Sequence, residues 1–447
     1  MSPARLDYAA AVAALRSRGR FGMSLGLERI DALLAELGHP ERSLHGALVA
    51  GTNGKGSVVA LTAAVLREAG LRVGSMPKPH LVSYRERIAL DQEPLGQDRF
   101  AAAINAVLPA IDRVAARLGP PTEFEALTAA AFAELARAQV DLAIVEVGLG
   151  GRLDATNALD PGVAIITNVQ HDHENHLGCI LAAIGTEKAV IIKRGNLAVT
   201  GATGRGLRPI LERAAAMGAP IRRAGAGQRY RATLRHAGWE GLVVDVETPN
   251  GPLPALRIGL LGSHQASNAV VALALLDALG EDATRRGRPF ELTSTALRNG
   301  FARARWPGRL ELFETKRYGR ILLDGAHNPA GARALAVALA ELGVRGFPLV
   351  FGAMRGKRVG AMLRALAPSQ PRPVFTTASE VGAHRPTTLL HRWQRVTGDG
   401  TTAETAGQAL ELAAELRSTP DQPIVVAGSL YLVGAVRGML TGEVESE

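Results

Sequence analysis

The stretch LHGALVAGTNGKGSVVALTAAVLREAG, residues 44–70, decides the fold. Its apolar run at 48–50 predicts a strand, and a glycine-rich turn at 51–57 follows directly. An Ala- and Leu-rich segment with helical spacing comes next and ends at Gly70. Strand, glycine loop and helix in this order are typical of a phosphate-binding loop, in which backbone N–H groups and the helix N-terminus face an anion.

Two side chains of this loop fit that interpretation. Lys55 would reach the outer phosphates, and Ser57 would offer its hydroxyl to Mg²⁺. The usual motif has Ser or Thr directly after the Lys, whereas Gly56 intervenes here. A glycine-rich turn with an unrelated lysine is the alternative.

Composition narrows the class of protein. The chain has 447 residues, of which 47% are hydrophobic and 21% charged, as in a soluble protein of two or three domains. The N-terminus predicts an amphipathic helix and no signal peptide, and no apolar run is long enough to cross a bilayer. Cys179 is the single cysteine, so an internal disulfide is impossible and a reducing, cytoplasmic location is expected.

The charge balance is basic, with a net charge of +9. Nucleic acid or an anionic small substrate would explain it, but the basic residues are scattered and aromatics are only 4%. Only six of the 51 basic residues are Lys. Because a Lys amine can lose its proton and react, Lys55 and Lys188 need explanations of their own, although Lys188 could be a surface helix lysine.

Two further strands end in chemistry-bearing residues. Residues 141–146 form an apolar run that ends in Glu146, the usual second anchor for Mg²⁺ beside a phosphate loop. Residues 163–168 lead into the His- and acid-rich segment 169–176. Ligand preference alone favours zinc there, and a solvated polar loop is the alternative.

The same reasoning applies to a segment that could face the substrate and to the C-terminal part of the chain. The polar loop 76–90 would face a substrate or be a solvated connection, and Thr122 is expected to cap a helix over 123–138. A composition shift sets a domain boundary near residue 303, which divides the chain into 1–302 and 303–447. The second part alternates strand and helix, as in a small doubly wound α/β domain, with Asp324 and Ser429 at strand ends.

Ten segments together carry a family resemblance. The chain resembles the folylpolyglutamate synthases, of the bifunctional dihydrofolate synthase type, in the Mur ligase superfamily. The matching segments are VAGTNGKGSV (49–58), PHLVSYRERI (79–88), TEFEALT (122–128), VEVGLGGRLDATN (145–157), ITNVQHDHENHLG (166–178), EKA (187–189), GSHQASNA (262–269), WPGR (306–309), DGAHNP (324–329) and GSLYLVG (428–434). One departure is Lys78, where relatives commonly have Ser.

The resemblance implies an α/β fold and an ATP-dependent amide ligation in folate biosynthesis and one-carbon metabolism. A P-loop-containing, Mur-ligase-like domain with a mostly parallel sheet (1–302) would be joined to a smaller Rossmann-like domain (303–447). The carboxylate of dihydropteroate or of a reduced folate would become an acyl phosphate, which the amine of L-glutamate attacks. The resemblance also implies a cytoplasmic monomer with two Mg²⁺ sites and small-molecule partners only.

The resemblance also assigns roles to residues. Lys55, His173 and Lys188 would be catalytic, and Lys188 is similar to the lysine that relatives convert to a carbamate. Ser57, Glu146, His173 and Lys188 would support Mg²⁺, which replaces the zinc guess. The nucleotide contacts would be Gly51, Thr52, Asn53, Gly54, Lys55, Gly56, Ser57, Asn268, Arg309 and Asp324. Substrate contacts would be Thr122, Phe124, Glu125, Leu153 and Asp154 for the pterin, and His327 and Ser429 for glutamate.

Three other functions compete with this one. A Mur-type cell-wall ligase shares the superfamily, but the PHLVSYRERI and GSLYLVG segments argue against it. A P-loop ATPase that binds nucleic acid is suggested only by the net charge. A P-loop small-molecule kinase would stop at a phosphorylated product.

Overall fold

The computed structural model describes residues 5–19, 26–172, 178, 180–378 and 382–443. Two helices, α1 (Tyr8–Gly19) and α2 (Glu28–Glu36), precede the first strand. Their apolar faces pack on one face of the large sheet together with α4 (Gln97–Leu118) and α5 (Glu123–Arg137). Among the described residues, no helix is long and apolar enough to span a membrane.

An eight-stranded sheet forms the centre of the N-terminal part. Its spatial order is β4-β3-β2-β5-β1-β6-β7-β8, and only β3 runs antiparallel to its neighbours β2 and β4. The strands are β1 (Gly46–Ala50), β2 (Val73–Met76), β3 (Ala89–Leu90), β4 (Glu93–Pro94), β5 (Leu142–Glu146), β6 (Gly162–Ile166), β7 (Leu197–Thr200) and β8 (Ile221–Arg223). Strands β1, β5 and β6 are fully buried because helices cover both faces of the sheet.

Strand β1 lies between β5 and β6, while the helix after it, α3 (Lys55–Glu68), leads to β2 beyond β5. The chain therefore reverses its direction across the sheet at β1. Ligands of doubly wound sheets bind at such a reversal, outside the carboxyl ends of the strands. The loops after β1, β5 and β6 meet there, and the pairing of Val49 with both Glu146 and Ile165 sets their register.

The chain then builds smaller elements around this sheet. Helices α6 (Leu181–Ala189) and α7 (Leu207–Ala216) join its strands. Helices α3 and α8 (His264–Arg285) cover its second face, and α9 (Ser294–Arg303) packs against α3. A separate antiparallel sheet contains β9 (Arg231–Gly238), β10 (Gly241–Thr248) and β11 (Gly251–Ile258). Short 3₁₀ turns occur at Pro40–Ser43, Tyr84–Arg87, Ala155–Ala158, Gly204–Gly206 and Ala367–Ser369.

The C-terminal part has its own six-stranded sheet, ordered β12-β13-β17-β14-β15-β16. Only β12 runs antiparallel. Its strands are β12 (Glu311–Thr315), β13 (Gly319–Leu323), β14 (Pro348–Phe351), β15 (Arg372–Phe375), β16 (Thr401–Thr402) and β17 (Ile424–Ala427). Its helices are α10 (Pro329–Glu341), α11 (Val359–Leu366), α12 (Pro386–Gln394), α13 (Ala406–Glu415) and α14 (Leu430–Thr441).

The predicted α/β class, with a mostly parallel sheet and a smaller C-terminal α/β unit, is confirmed. Two local predictions need correction. Segment 76–90 is not a plain loop, because it contains the 3₁₀ turn Tyr84–Arg87 and the two-residue strand β3. The sequence also predicts an Ala-, Val- and Leu-rich helix through residue 279, whereas the helix continues to Arg285 and its buried residues extend to Ala283.

Candidate functional site

One cavity of about 950 Å³ lies between the two sheets, where the strand ends of both parts face each other. Every predicted site residue that the structure describes lines this cavity. His173 lies outside the described residues, as does Cys179. Loops after β1, β5 and β6 supply one wall, and loops after β13 and β17 supply the other.

The loop between β1 and α3 has the geometry of an anion cradle. Gly54 sits at the helix N-cap with φ of 80°, a left-handed conformation that suits glycine. A Cβ on Gly54 would collide with the amide of Asn268. Asn53 is fixed from β6, because its N–H donates to Asn168 Oδ1 (2.9 Å) and its carbonyl accepts from Thr167 Oγ1 (2.7 Å). These two bonds fix the loop on the segment that follows β6.

Gly56, which interrupts the usual motif, has a specific packing reason. The ring of Trp306 lies against it, and a Cβ at position 56 would come within 2.5 Å of the indole. Trp306 belongs to the segment that connects the two sheets. Only glycine therefore allows this segment to pack on the phosphate loop.

Lys55 and Glu146 meet beneath the loop. Lys55 Nζ donates to the carbonyls of Gly51 (3.2 Å) and Thr52 (3.4 Å) and lies 3.6 Å from Glu146 Oε1. Burial raises the pKa of Glu146, and nearby Lys55, Arg309 and Lys78 oppose that shift. Glu146 Oε2 is buried and has no hydrogen-bond partner among the described residues. An unpartnered carboxylate oxygen at a phosphate site fits a hard cation such as Mg²⁺.

Ser57, the second predicted oxygen ligand, is buried on the first turn of α3. Its hydroxyl accepts a hydrogen bond from Gln265 Nε2 (3.3 Å), and Gln265 Oε1 accepts one from Asn268 Nδ2 (2.8 Å). Helix α8 therefore connects the predicted nucleotide contact Asn268 to the loop. Within the described ranges, no group of three or more His, Cys, Asp or Glu side chains is placed so that it could hold a metal ion.

Lys188 is not a surface lysine. It lies at the end of α6 with an exposed fraction of 5%, and its Nζ donates to the Gly51 carbonyl (3.2 Å). Burial, together with the positive charge of Lys55, lowers the pKa of Lys188 to about 7. With this pKa, about half of the amine is in its neutral form at neutral pH.

Asp172 joins the two parts of the molecule. It follows β6 and accepts hydrogen bonds from Lys357 Nζ (2.7 Å) and Asn328 Nδ2 (3.0 Å), both from the C-terminal part. His327 Nε2 lies 3.4 Å from the same carboxylate. Asn328 Nδ2 also donates to Asn53 Oδ1 (3.0 Å), so these contacts reach the phosphate loop. We call the contacts of Asp172, Asn328 and Lys357 with one another and with Asn53 the interdomain clasp.

The C-terminal wall carries Arg309, Asp324 and Ser429. Asp324 follows β13 and accepts from the N–H groups of Leu310 (3.1 Å) and Ala326 (2.9 Å). Burial raises the pKa of Asp324, and Arg309 opposes that rise. Ser429 caps α14 by accepting from the Tyr431 N–H (3.2 Å).

The opposite end of the cavity has apolar and acidic walls. Thr122 caps α5 as predicted, in a capping box with Glu125, and Glu125 also pairs with Arg29 at 3.0 Å. Phe124 and Leu153 line the cavity, and Lys78 Nζ lies 3.0 Å from the centre of the Phe124 ring. Burial lowers the pKa of Lys78 to about 7.

Asp154 stabilises the loop after β5. Its Oδ2 accepts from the N–H groups of Gly148 (3.0 Å) and Leu149 (2.9 Å), while its Oδ1 accepts from the N–H and hydroxyl of Thr156. With four internal donors, Asp154 shapes the cavity wall and has little capacity left for a ligand.

Sequence reasoning missed several residues of the site. Gln265, Trp306 and Asn328 lie inside the motifs quoted above but were given no role, and Lys357 lies outside all of those motifs. Lys357 carried one signal, because it is among the six lysines of an Arg-rich chain. Asn328 precedes the proline that opens α10, and its side chain caps that helix.

Family models match both parts of the chain. The Mur ligase middle domain matches residues 101–276, and the C-terminal domain of dihydrofolate synthetase matches residues 309–439. The folylpolyglutamate synthase of Lacticaseibacillus casei is 34% identical over 98% of this chain and 99% of its own. A probable bifunctional folylpolyglutamate synthase/dihydropteroate synthase of Haloferax volcanii is 36% identical over 97% of this chain, which spans half the length of that relative.

Solved structures agree along nearly the whole length. The folylpolyglutamate synthase of Mycobacterium tuberculosis, complexed with ADP and AMPPCP, has a TM-score of 0.87 at 33% identity and covers 96% of this chain and 99% of its own. FolC of E. coli, in complex with DHPP and ADP, has a TM-score of 0.85 at 28% identity, with 98% and 99% covered. Such enzymes are ATP-dependent ligases. The chain belongs to the folylpolyglutamate synthase/dihydrofolate synthase family, with Mur ligase domains.

Proposed function

We propose that this protein joins L-glutamate to dihydropteroate, or to the glutamyl tail of a reduced folate, with hydrolysis of ATP to ADP and phosphate. One observation carries the proposal. A phosphate loop, the apolar pocket wall of Phe124 and Leu153, and the strand ends of the C-terminal sheet all face one cavity. Such a cavity accommodates a nucleotide, an aromatic acid and an amino acid together.

The nucleotide would be held from both parts, which we propose to divide at residues 1–302 and 303–447. The loop 51–57 would hold the phosphates through its N–H groups and Lys55. Asn268 is hydrogen-bonded into the loop network, while Arg309 and Asp324 line the facing wall. Closure of the two walls would exclude water from the reacting groups.

The chemistry proceeds in two balanced steps. A carboxylate oxygen of the pterin substrate attacks the γ-phosphorus, the bond to the bridging oxygen breaks, and ADP leaves. The glutamate amine then attacks the acyl carbon and loses a proton, while the bond to the phosphate oxygen breaks. Lys55 and Arg309 would balance the charge that develops on the phosphoryl oxygens.

Ser57 and Glu146 would hold Mg²⁺, because they present oxygen ligands beside the phosphate loop and one Glu146 oxygen lacks a partner among the described residues. His173 remains the proposed contributor to a second site. The ion would supply charge neutralisation at the phosphates. Lys55, whose Nζ lies 3.6 Å from Glu146, would keep that carboxylate oriented.

Lys188 would carry a carbamate. Its neutral amine would attack CO₂, form a nitrogen–carbon bond and release one proton. The lowered pKa of Lys188 supports this step, because only the neutral amine reacts. The remaining N–H could still donate to the Gly51 carbonyl.

The pterin would lie against Phe124 and Leu153, in a pocket whose walls are fixed by Thr122, Glu125 and Asp154. Glutamate would enter from the side of the cavity that His327 and Ser429 line. We further propose that the enzyme is cytoplasmic. We also propose that it acts as a monomer, because a single chain supplies both walls of the cavity.

One assay tests the proposal. Purified protein receives ATP, Mg²⁺, L-glutamate and either dihydropteroate or tetrahydrofolate, and the amide product is measured by mass spectrometry beside phosphate release. We expect one phosphate per amide bond formed. Phosphate release that is indifferent to glutamate with every pterin acid would overturn the proposal. Stimulation by DNA or RNA instead would favour the nucleic-acid ATPase.

A further inference from the structure

Lys78 is a buried lysine that the steps above do not use. Its Nζ makes no hydrogen bond with any residue in the described ranges, and solvent does not reach it. The nearest carboxylate oxygen, Asp154 Oδ1, is 3.9 Å away, which is too far for a hydrogen bond. Burying an ammonium group without acceptors is costly, so this arrangement calls for an explanation.

Asp154 does not provide that explanation. Its two oxygens already accept four hydrogen bonds from Gly148, Leu149 and Thr156. The Phe124 ring lies 3.0 Å from Nζ and stabilises the positive charge through its π face. An aromatic ring offers no lone pair that accepts a hydrogen bond, so the three N–H donors of Lys78 have no oxygen acceptor among the described residues.

The position of Lys78 links the two ends of the cavity. Lys78 lines the same cavity as Glu146, at the phosphate end, and Phe124, at the pterin end, and its Nζ lies over the Phe124 ring. Gly148 leaves room for the amine, since a Cβ there would lie 2.8 Å from Nζ. A substrate that stretches from Phe124 to the phosphate loop must bring its reacting carboxylate past this amine.

We propose that Lys78 binds the substrate carboxylate that becomes phosphorylated and selects for an acid at that position. This inference rests on the proposed function, because it takes an aromatic pterin acid as the substrate. The ammonium group donates to a carboxylate oxygen and holds the acid beside the phosphate loop. The bound carboxylate provides the acceptors that Lys78 lacks among the described residues.

A rival account gives Lys78 a purely structural role, in which it balances Asp154 and Glu146 and covers Phe124. The two accounts differ in one measurable quantity, which is the preference for an acid over its uncharged amide. A structural lysine affects the binding of both ligands alike. A lysine that contacts the carboxylate affects only the acid.

The experiment measures the dissociation constants of dihydropteroate and of its carboxamide by calorimetry, for wild type, Lys78→Met and Lys78→Ser. We expect the wild type to bind the acid at least tenfold more tightly, and both variants to bring this ratio close to one. The KM for ATP should remain within twofold of the wild-type value. Lys316→Met, which removes an exposed lysine, is the matched control and should keep the wild-type ratio.

An unchanged ratio in folded Lys78→Met and Lys78→Ser would overturn the inference, and thermal unfolding of each variant checks that it is folded. Wild-type protein that binds the acid but forms no glutamate-dependent product would refute the proposed function alone, while the ratio would still test Lys78. Wild-type protein that binds neither ligand would overturn both.

Discussion

Glu146 presents a buried carboxylate oxygen with no hydrogen-bond partner among the described residues, on the last residue of β5. Replacing Glu146 with Gln keeps the shape and removes the charge. We expect kcat/KM to fall at least 100-fold at limiting Mg²⁺, since an amide is a poor ligand for a dication. Phosphate release measured against Mg²⁺ concentration tests this.

Folding should survive that change. Glu146→Gln should unfold at the same temperature or higher, because burial already disfavours the carboxylate charge. Glu93→Gln, on an exposed edge strand, is the control and should retain full activity. Normal turnover of Glu146→Gln at limiting Mg²⁺ would exclude the ligand role.

Lys188 makes the stability of the protein depend on pH. Its folded pKa of about 7 lies below the ordinary value of 10.5, mainly because of burial. Between these values the unfolded chain holds a proton that the folded chain has lost, so the free energy of unfolding rises with pH by up to about 1.4 kcal/mol per pH unit. Lys78 should contribute in the same way.

Urea unfolding of wild type and Lys188→Met at pH 6.5, 8 and 9.5, in CO₂-free buffer, measures this contribution. The stability advantage of the variant over wild type should shrink steadily as pH rises. Lys316→Met should follow the wild-type profile, because its side chain is exposed in both states. Parallel profiles for wild type and Lys188→Met would show that Lys188 has an ordinary pKa.

At the residue level, sequence predicted candidates but not their surroundings. Lysine scarcity singled out Lys55 and Lys188, and both line the cavity. That Lys78 Nζ makes no hydrogen bond within the described residues was not predictable, because it depends on Asp154 being occupied by the backbone of its own loop. Which donors bind the Asp154 carboxylate is decided only when the loop has folded.

Among the elements, the loop between β1 and α3 depends on glycine for two separable reasons. Gly54 and Gly70 have nearly the same φ, 80° and 81°, but only a Cβ at Gly54 would meet a neighbour. Gly70→Ala should therefore cost about 1–2 kcal/mol of stability from backbone strain alone. Gly54→Ala should cost more and also weaken ATP binding about tenfold, by displacing Asn268.

Calorimetric ATP titration and thermal unfolding of both variants separate the two effects. Gly70→Ala, measured at a temperature where it is folded, should bind ATP as the wild type does. Equal ATP affinities for the two variants would contradict a role of the Gly54–Asn268 contact in the nucleotide site.

Regular elements were largely predictable from periodicity. Apolar runs gave the strands at the centre of both sheets, and Thr122 marked the start of α5 through its capping box. Segment 76–90 was harder, because prolines and charges mask the short turn that Glu86 stabilises by accepting from three backbone N–H groups (81–83).

Across the whole molecule, the interdomain clasp is the contact to test. Lys357→Met removes the ion pair from Asp172, which keeps its hydrogen bond from Asn328, and Asp172→Asn removes the charge that Lys357 pairs with. We expect each to lower kcat/KM for glutamate about tenfold, because the walls of the cavity would close less firmly. The double variant should lose less kcat/KM than the product of the two single-variant losses, because both substitutions break the same interaction.

A double-mutant cycle at low and high salt quantifies this coupling. Lys316→Met, on the same C-terminal part, should leave the kinetics unchanged. Fully additive losses for the two clasp substitutions would mean that Asp172 and Lys357 act independently.

The sequence alone could not predict how the two parts of the molecule pack against each other. Asp172 and Lys357 are 185 positions apart, and no local pattern pairs them. The alternation of strands and helices predicted that Asp324 and Ser429 would lie at the carboxyl ends of strands in the C-terminal sheet. Only the folded structure shows which part of the first sheet these strand ends face.

The indole of Trp306 against Gly56 gives the protein an optical property. Only three tryptophans are present, and Trp393 is buried in the C-terminal core. Trp306 touches the turn where the β- and γ-phosphates of a nucleotide would lie. Its ultraviolet emission therefore offers a label-free signal, built into the chain, for following the filling of the phosphate loop in real time.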